Sequence, residues 1–368
     1  MNYRKINNNK VSLLGMGCMR LPIDENNEIN VEKTEEMIKY AMENGINYYD
    51  TAYPYHNGQS EIVIGNILSK YPRKSFFLAS KMPSWHLKSL DDAKRIFAEQ
   101  LKKCKVEYFD FYLCHAMNLE HHNTYKSLGV YKYLDDLRKE GLIKNLGFSY
   151  HDAPQNIIPI ADELKWDFAQ IQFNYLDYEM QDAKLQYEEL TKRDISVVVM
   201  EPVRGGMLAN VTPEAMELFK NKEPNMSIAS WALRYVAHYP NIKVILSGMS
   251  NLEQLSDNIN TFTNYKELSN EDLLIIDSAK RFILGNDFVP CTGCRYCMPC
   301  PLGVNIPKIF SIFNNYGINK DYEMFKEKIS KLDIKELPSS CVKCGKCVSA
   351  CPQGIKIFEQ LEKINKLI

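Results

Sequence analysis

"SLLGMGCMR", residues Ser12–Arg20, is the first of eight short apolar runs, and the way it continues decides the fold. An open doubly wound sheet normally follows its first strand with a G-x-G-x-x-G turn that opens a helix. Here Gly15 and Gly17 are present, the third glycine is missing, and no helix pattern follows directly. The other seven runs are "GINYYD" (45–50), "SFFLASK" (75–81), "YFDFYLCH" (108–115), "IKNLGFS" (143–149), "FAQIQFN" (168–174), "ISVVVM" (195–200) and "IKVILSG" (242–248). Between them lie amphipathic stretches such as "NVEKTEEMIKYAMENG" (30–45), with Met37, Ile38, Ala41 and Met42 at helical spacing and Gly45 at the expected stop. "SLDDAKRIFAEQLKKC" (89–104) and "LGVYKYLDDLRKEGLI" (128–143, with Gly141 as its stop) read the same way. Eight strand–helix units imply parallel strands joined by right-handed crossovers. That number closes a sheet on itself, so the expected fold class is α/β, a (β/α)8 TIM barrel.

The alternation runs from residue 11 to about 265 and stops near 286. The expected domains are therefore a barrel over 1–285 and a small, mainly α-helical module over 286–368, with "GNDFVP" (285–290) as linker. Within the module, "NIPKIFSIFNN" and "DYEMFKEKISKL" read as short helices. Hydrophobic residues make up 45% of the chain, ordinary for a globular protein. The formal net charge of −1 gives no footprint for nucleic acid, and no apolar run is long enough to span a membrane. "MNYRKINNNKVSLLGMGCM" reads as a first strand rather than a signal peptide. A cytoplasmic protein is expected.

Eight of the eleven cysteines fall after residue 290, in two bursts. The second, Cys341, Cys344, Cys347 and Cys351 followed by Pro352, has the C-x2-C-x2-C-x3-C-P spacing of bacterial [4Fe–4S] proteins. The first, Cys291, Cys294, Cys297 and Cys300 followed by Pro301, is one residue shorter before its last cysteine. In two-cluster modules the fourth cysteine of each run ligates the other cluster, so the shorter spacing is tolerable. One cluster is assigned to Cys291, Cys294, Cys297 and Cys351, the other to Cys341, Cys344, Cys347 and Cys300. Two zinc sites are the main alternative, because C-x2-C pairs also bind zinc; disulfides fit a cytosolic chain less well. Cys18, Cys104 and Cys114 read as small buried residues.

Barrel active sites lie at the carboxyl ends of the strands. Strand ends here carry Asp50 in "YYDTAYPYHNGQSE", Lys81 in "FLASKMP" and His115 in "YLCHAMN", with Tyr55 just past Asp50. Together with "GFS" and "QIQFNYLD" later in the chain, these resemble the aldo-keto reductases over roughly residues 3–265. The resemblance implies carbonyl reduction. Tyr55 would be the general acid, with Tyr53 as runner-up. Lys81 would lower the Tyr55 pKa from its ordinary value near ~10, Asp50 would hold Lys81, and His115 would position the carbonyl oxygen.

The resemblance also implies a nicotinamide cofactor. Ser149 and Gln172 would bind its carboxamide, with Asn174 nearby and Tyr150 where the family often has asparagine. Arg204, Gly205 and Gly206, in "EPVRGGML", would approach the pyrophosphate, and Arg20 would line the same cleft. Gly248, Met249, Ser250, Gln254 and Asn258 would frame the adenosine end. Gly248 and Gln254 stand where many NADPH-dependent members carry cations, which weakens the NADPH preference and brings NADH into play. Plain structural roles stand beside each of these: Gln172 satisfying barrel backbone, Gly205–Gly206 forming a turn.

The whole chain resembles aldo/keto reductases with a carboxy-terminal ferredoxin-type module. Nicotinamide moves two electrons and a [4Fe–4S] cluster one, so a flavin is the usual intermediary. Two readings remain open. One is a nicotinamide-dependent carbonyl reductase whose clusters are structural or serve a redox partner protein. The other is a flavin-containing electron-transfer enzyme. An inert barrel carrying a redox module is a third, against which the complete set Asp50, Tyr55, Lys81 and His115 counts.

Overall fold

The computed structural model describes residues 1–284 and 289–368. The boundary expected at 285/286 and most of the expected linker fall on 285–288, outside the described residues. The chain divides into two compact units, 1–202 with 232–268, and 203–231 with 269–368.

The first unit is built on β1 (Tyr3–Ile6), β2 (Asn9–Ser12), β3 (Leu14–Gly17), β4 (Tyr48–Asp50), β5 (Phe77–Pro83), β6 (Phe109–Met117), β7 (Ile143–Tyr150), β8 (Phe168–Gln172), β9 (Ser196–Met200) and β10 (Ile242–Ser247). Strands β3 to β10 form a closed barrel in the order β10-β3-β4-β5-β6-β7-β8-β9, all parallel. Each of the eight apolar runs read from the sequence supplies one of these strands.

The amino terminus differs from its reading as a single strand. β1 and β2 pair antiparallel as a separate hairpin. The cause is local: Asn7 takes a φ of 51°, a left-handed conformation that asparagine tolerates better than most residues. The hairpin contributes Ile6 and Val11 to the barrel interior, where they join Tyr48, Phe111, Leu113, Phe168, Val198 and Val244. Its buried face therefore plugs one end of the barrel with apolar surface.

The outer helices start and stop where the sequence indicates. Asn30 caps the helix Val31–Glu43, its side chain accepting from the Lys33 amide. Ser89 and Asp92 form a reciprocal capping box on the helix Leu90–Cys104. That helix buries Ala93, Ile96, Phe97, Gln100 and Cys104, one stripe at helical period. Gln100 is the polar member of the stripe and sits beneath the site described below.

The second unit is mainly helical, with Pro213–Lys222, Asn270–Leu284, Ile306–Asn319, Tyr322–Ser330 and Ile357–Asn365 as its longer helices. Its core gathers Val304, Ile306, Ile309, Phe310, Phe313, Phe325, Ile329, Ile357 and Leu361, with six of the clustered cysteines packed against it. Asn314 ties down the chain entering the cysteine segment: its amide exchanges two hydrogen bonds with the backbone of Val289, at 2.7 and 2.8 Å. Among the described residues no helix is long and apolar enough to cross a membrane.

Candidate active site

Asp50 closes β4, Lys81 lies in β5 and His115 in β6, all at the carboxyl ends of adjacent strands. Tyr55 follows Asp50 through a tight turn in which its amide donates to the Ala52 carbonyl at 3.1 Å. Lys81 is fully buried. Its ammonium has three hydrogens, and the structure gives it three acceptors: Asp50 Oδ1 at 2.5 Å, the Thr51 carbonyl at 2.8 Å and Tyr55 Oη at 3.2 Å. The lysine is thus fully spent on orientation, and one of its bonds is to the phenol.

Burial pushes the Asp50 carboxyl above its ordinary range, while Lys81 pulls it back down. His115 is buried and its imidazole is held well below the usual histidine range, first by burial and then by Lys81, His151 and His121. The ring is thereby held in its neutral form. A break in the β6–β7 register after Cys114, with Ala116 at a φ of 52°, bulges the strand beside His115. Bulges of this kind re-aim a side chain. Tyr125 Oη accepts from the His115 amide at 3.2 Å and donates to the Met82 carbonyl, fixing β6 against β5. The His115 ring meets Tyr55 edge-on at 5.9 Å and Trp85 at 5.1 Å.

Tyr53, the other candidate acid, is tied elsewhere. Its hydroxyl donates to Glu99 Oε2 at 2.9 Å, and Lys103 lies over its ring. Both partners belong to the helix Leu90–Cys104.

A second layer of buried polar groups escaped the sequence reading. Gln100 Nε2 donates to the Lys81 carbonyl at 3.0 Å and to Glu61 Oε1 at 2.7 Å, and Ser80 Oγ donates to the same Glu61 oxygen at 2.6 Å. Tyr112 donates to Gln100 Oε1. The available signal was Glu61 itself, a carboxylate inside the apolar helix "QSEIVIGNIL", where burial demands partners.

In the second unit the cysteines surround two cavities. One is narrow and lined by Cys291, Cys294, Cys297 and Cys351. The other, about 250 Å3, is lined by Cys300, Cys341, Cys344 and Cys347, with Cys297 at its edge. Burial, reinforced by Cys294, Cys291 and Cys351, pushes the Cys297 thiol up to about 12. Burial and then Cys341 push Cys347 up, with Cys344 and Cys300 adding to it. Crowded thiols of this kind ionise readily only beside compensating positive charge, which suits a soft-metal donor set. Among the described residues no three His, Cys, Asp or Glu side chains converge on one point as a single metal ion requires. Cys18, Cys104 and Cys114 are buried in the first unit.

With this geometry established, comparison with known proteins is direct. A family model described as "Aldo/keto reductase family" matches residues 13–281. The chain belongs to the aldo/keto reductase family. It is accordingly an oxidoreductase. A second model, "4Fe-4S dicluster domain", matches residues 290–355 and supports iron–sulfur clusters at the cysteine bursts. The "Uncharacterized oxidoreductase YqkF" of Bacillus subtilis is 26% identical over 301 residues, covering 73% of this chain and 92% of that protein. The holo form of aldo-keto reductase AKR11C1 from Bacillus halodurans superposes with a TM-score of 0.60 at 23% identity, over 76% of this chain and 96% of its own. An aldo-keto reductase from Klebsiella pneumoniae in complex with NADPH gives 0.58 at 18% identity, over 73% and 91%. The two structural likenesses carry the fold alone.

The residues that this family would present to a nicotinamide nucleotide fall into three groups. Ser149 Oγ accepts from the Ala116 amide at 2.8 Å, and Gln172 Nε2 donates to Asp177 Oδ2 at 2.7 Å. Asn174 is committed to the protein. Its amide donates to Asp177 Oδ2 and the Glu201 carbonyl, and its oxygen accepts from the amides of Leu176 and Asp177. Tyr150 donates to the Ala153 carbonyl. At the adenosine end, Ser250 Oγ donates to the Arg20 carbonyl at 2.9 Å and its amide to Gln254 Oε1 at 2.9 Å. A side chain at Gly248 would run into Arg20 Cδ at 2.8 Å, so the glycine is what lets Arg20 lie there. Arg20 pairs with Glu201 at 3.2 Å. Met249 is buried, and Asn258 donates to Ser247 Oγ at 3.0 Å. Arg204, Gly205 and Gly206 belong to the second unit and take φ of 48°, 64° and 92° in succession. A Cβ at Gly206 would meet nothing within 4 Å.

Proposed function

We propose that this aldo/keto reductase reduces a carbonyl compound using a nicotinamide nucleotide, with Tyr55 as general acid. One observation carries the reading: the Lys81 ammonium, buried and anchored on Asp50, donates to the Tyr55 hydroxyl. A bound nicotinamide supplies hydride to the carbonyl carbon. Tyr55 gives its proton to the carbonyl oxygen. Because its oxygen accepts from Lys81, the phenolate left behind is stabilised, and its own hydrogen is directed away from the lysine. Neutral His115 offers a hydrogen bond to the same carbonyl oxygen and limits the poses the substrate can take. Asp50 holds the ammonium in place.

Arg20 is the cation nearest Gly248, and Glu201 already engages it. NADH is therefore expected to serve at least as well as NADPH. The flavin alternative has no feature of the described residues behind it. Cys291, Cys294, Cys297 and Cys351 would hold one [4Fe–4S] cluster and Cys300, Cys341, Cys344 and Cys347 the other, each supplying one-electron chemistry. A reducing, cytoplasmic compartment belongs to the same reading, since it keeps these thiols available.

The test is carbonyl reduction by purified Tyr55→Phe, followed by NAD(P)H oxidation over a panel of small aldehydes and ketones. A loss of about 10²–10⁴ in kcat is expected. Activity equal to that of the unmodified protein would remove Tyr55 from the acid role.

A further inference from the structure

Of the eight clustered thiols only Cys344 is exposed, and it stands on the rim of the larger cysteine cavity. The same rim presents Val342 and Leu302, 63% and 42% exposed. Both side chains line the same cavity mouth as Cys344, so they place open apolar surface beside that thiol. Around them stand Lys335, Lys343 and Lys346, all exposed. The backbone and Cβ of Lys335 lie against Gly303, next to Leu302. Lys343 is held by Glu362 at 2.8 Å. Lys335 and Lys346 have no ion pair among the described residues. The bias extends through the segment: residues 289–368 carry twelve Lys and Arg against seven Asp and Glu, in a chain whose formal charge is −1.

We propose that this rim is the docking face for a small acidic protein carrying a one-electron centre, and that the cluster of Cys300, Cys341, Cys344 and Cys347 is where its electron enters. The proposal rests on the reading of those four cysteines as the ligands of one cluster. An apolar centre ringed by cations matches a partner whose own redox centre lies under an acidic rim. The small patch suits the brief encounters of electron carriers rather than a permanent subunit. In the transfer the carrier's reduced centre gives up one electron, and the cluster passes from [4Fe–4S]2+ to [4Fe–4S]+. No bond forms or breaks and no proton moves.

The test uses the full-length protein with its clusters, and a reduced, acidic plant-type [2Fe–2S] ferredoxin as probe. Cluster reduction is followed anaerobically as bleaching near 400 nm in a stopped-flow instrument. The rate should fall at least about tenfold as salt rises from low to physiological ionic strength, because oppositely charged surfaces steer the encounter. Lys335→Gln/Lys346→Gln should slow it several-fold at low salt, with iron content, visible spectrum and the extent of dithionite reduction unchanged. A rate indifferent to both salt and the lysines overturns the proposal, as does faster reduction at low salt by a cationic one-electron reductant of equally low potential, such as a viologen radical. Failure of the ferredoxin to reduce clusters that dithionite does reduce also overturns it, while leaving the cluster reading intact. Absence of iron and acid-labile sulfide from the purified protein overturns both.

Discussion

A Cβ atom placed on Gly205 would lie 2.5 Å from the carbonyl oxygen of Thr292 and 2.9 Å from its Cα. Thr292 is buried between Cys291 and Cys294, so the turn at 205 is pressed against the backbone of the first cysteine loop. Gly206, its neighbour, has an even more positive φ, 92°, but open space where a side chain would go. The pair separates two costs. Gly206→Ala should lose only the conformational penalty, about 1–2 kcal/mol. Gly205→Ala should lose that and a further ~1–3 kcal/mol from overpacking against backbone that cannot yield. The check is urea unfolding followed by loss of the cluster absorbance. Equal midpoints for the two variants would mean that the Thr292 contact contributes nothing.

The two tyrosines of the loop after β4 should behave oppositely. Tyr53 donates to Glu99 on an outer helix, and Tyr55 accepts from Lys81. Tyr53→Phe should keep kcat within about threefold, because only a partly exposed hydrogen bond is lost. Lys81→Met should cost as much as Tyr55→Phe, about 10²–10⁴, and should leave Asp50 buried without its cation. Steady-state kinetics on any one carbonyl substrate decides between these expectations. A Tyr53→Phe enzyme as impaired as Tyr55→Phe would contradict the assignment.

The parts of the molecule legible in the sequence are those fixed by period and spacing. The eight strands were legible because a buried parallel strand must be a short, nearly continuous apolar run, as in "ISVVVM". Asp50, Lys81 and His115 were legible because strand ends place polar residues at the barrel mouth. Less legible were contacts between residues far apart in the chain. Nothing near Asn174 in sequence announces that its amide is consumed by Asp177 and the Glu201 carbonyl. The Gly205–Gly206 pair reads as a plain turn or as a phosphate loop, and its approach to Thr292 depends on how the second unit folds. The amino-terminal hairpin was hidden because β1 and β2 are four residues each and only three asparagines mark the turn.

Histidines that the fold holds neutral, among them buried His115 and half-buried His151, should make it sensitive to mild acid. In the folded chain His115 is held well below the model-peptide value of 6.5, and His151 is lowered to about 4, by burial first and then by His121 and Lys81. Between 6.5 and 4 the unfolded chain binds protons that the native one refuses, so stability rises with pH up to 6.5 and is lost below it. From pH 6.5 to 5.5 each histidine should contribute a loss of about 1 kcal/mol. Urea midpoints at pH 7.5, 6.5 and 5.5 should show this loss, and His115→Gln should make it smaller. A wild-type midpoint that does not move between 6.5 and 5.5 would exclude neutral burial of these rings. Because His115 stays neutral, kcat should show no histidine inflection between pH 6 and 8.

The two cavities make the crossed assignment of the fourth cysteines testable one residue at a time. Cys351 lines the cavity of Cys291, Cys294 and Cys297, and Cys300 that of Cys341, Cys344 and Cys347. A serine oxygen is a poor replacement for a soft thiolate on iron. Cys351→Ser should therefore damage the cluster of the first burst, although the residue belongs to the second, and Cys300→Ser should do the reverse. Each variant should retain roughly half of the about eight irons expected for two [4Fe–4S] clusters. The decisive comparison is the double variant. Cys351→Ser with Cys294→Ser strikes one cluster twice and should still hold roughly half of the iron. Cys351→Ser with Cys344→Ser strikes both and should hold almost none. Iron and sulfide analysis of the purified proteins reads the difference directly. If the ligands were uncrossed, Cys351→Ser with Cys344→Ser would retain half of the iron and Cys351→Ser with Cys294→Ser would lose it all.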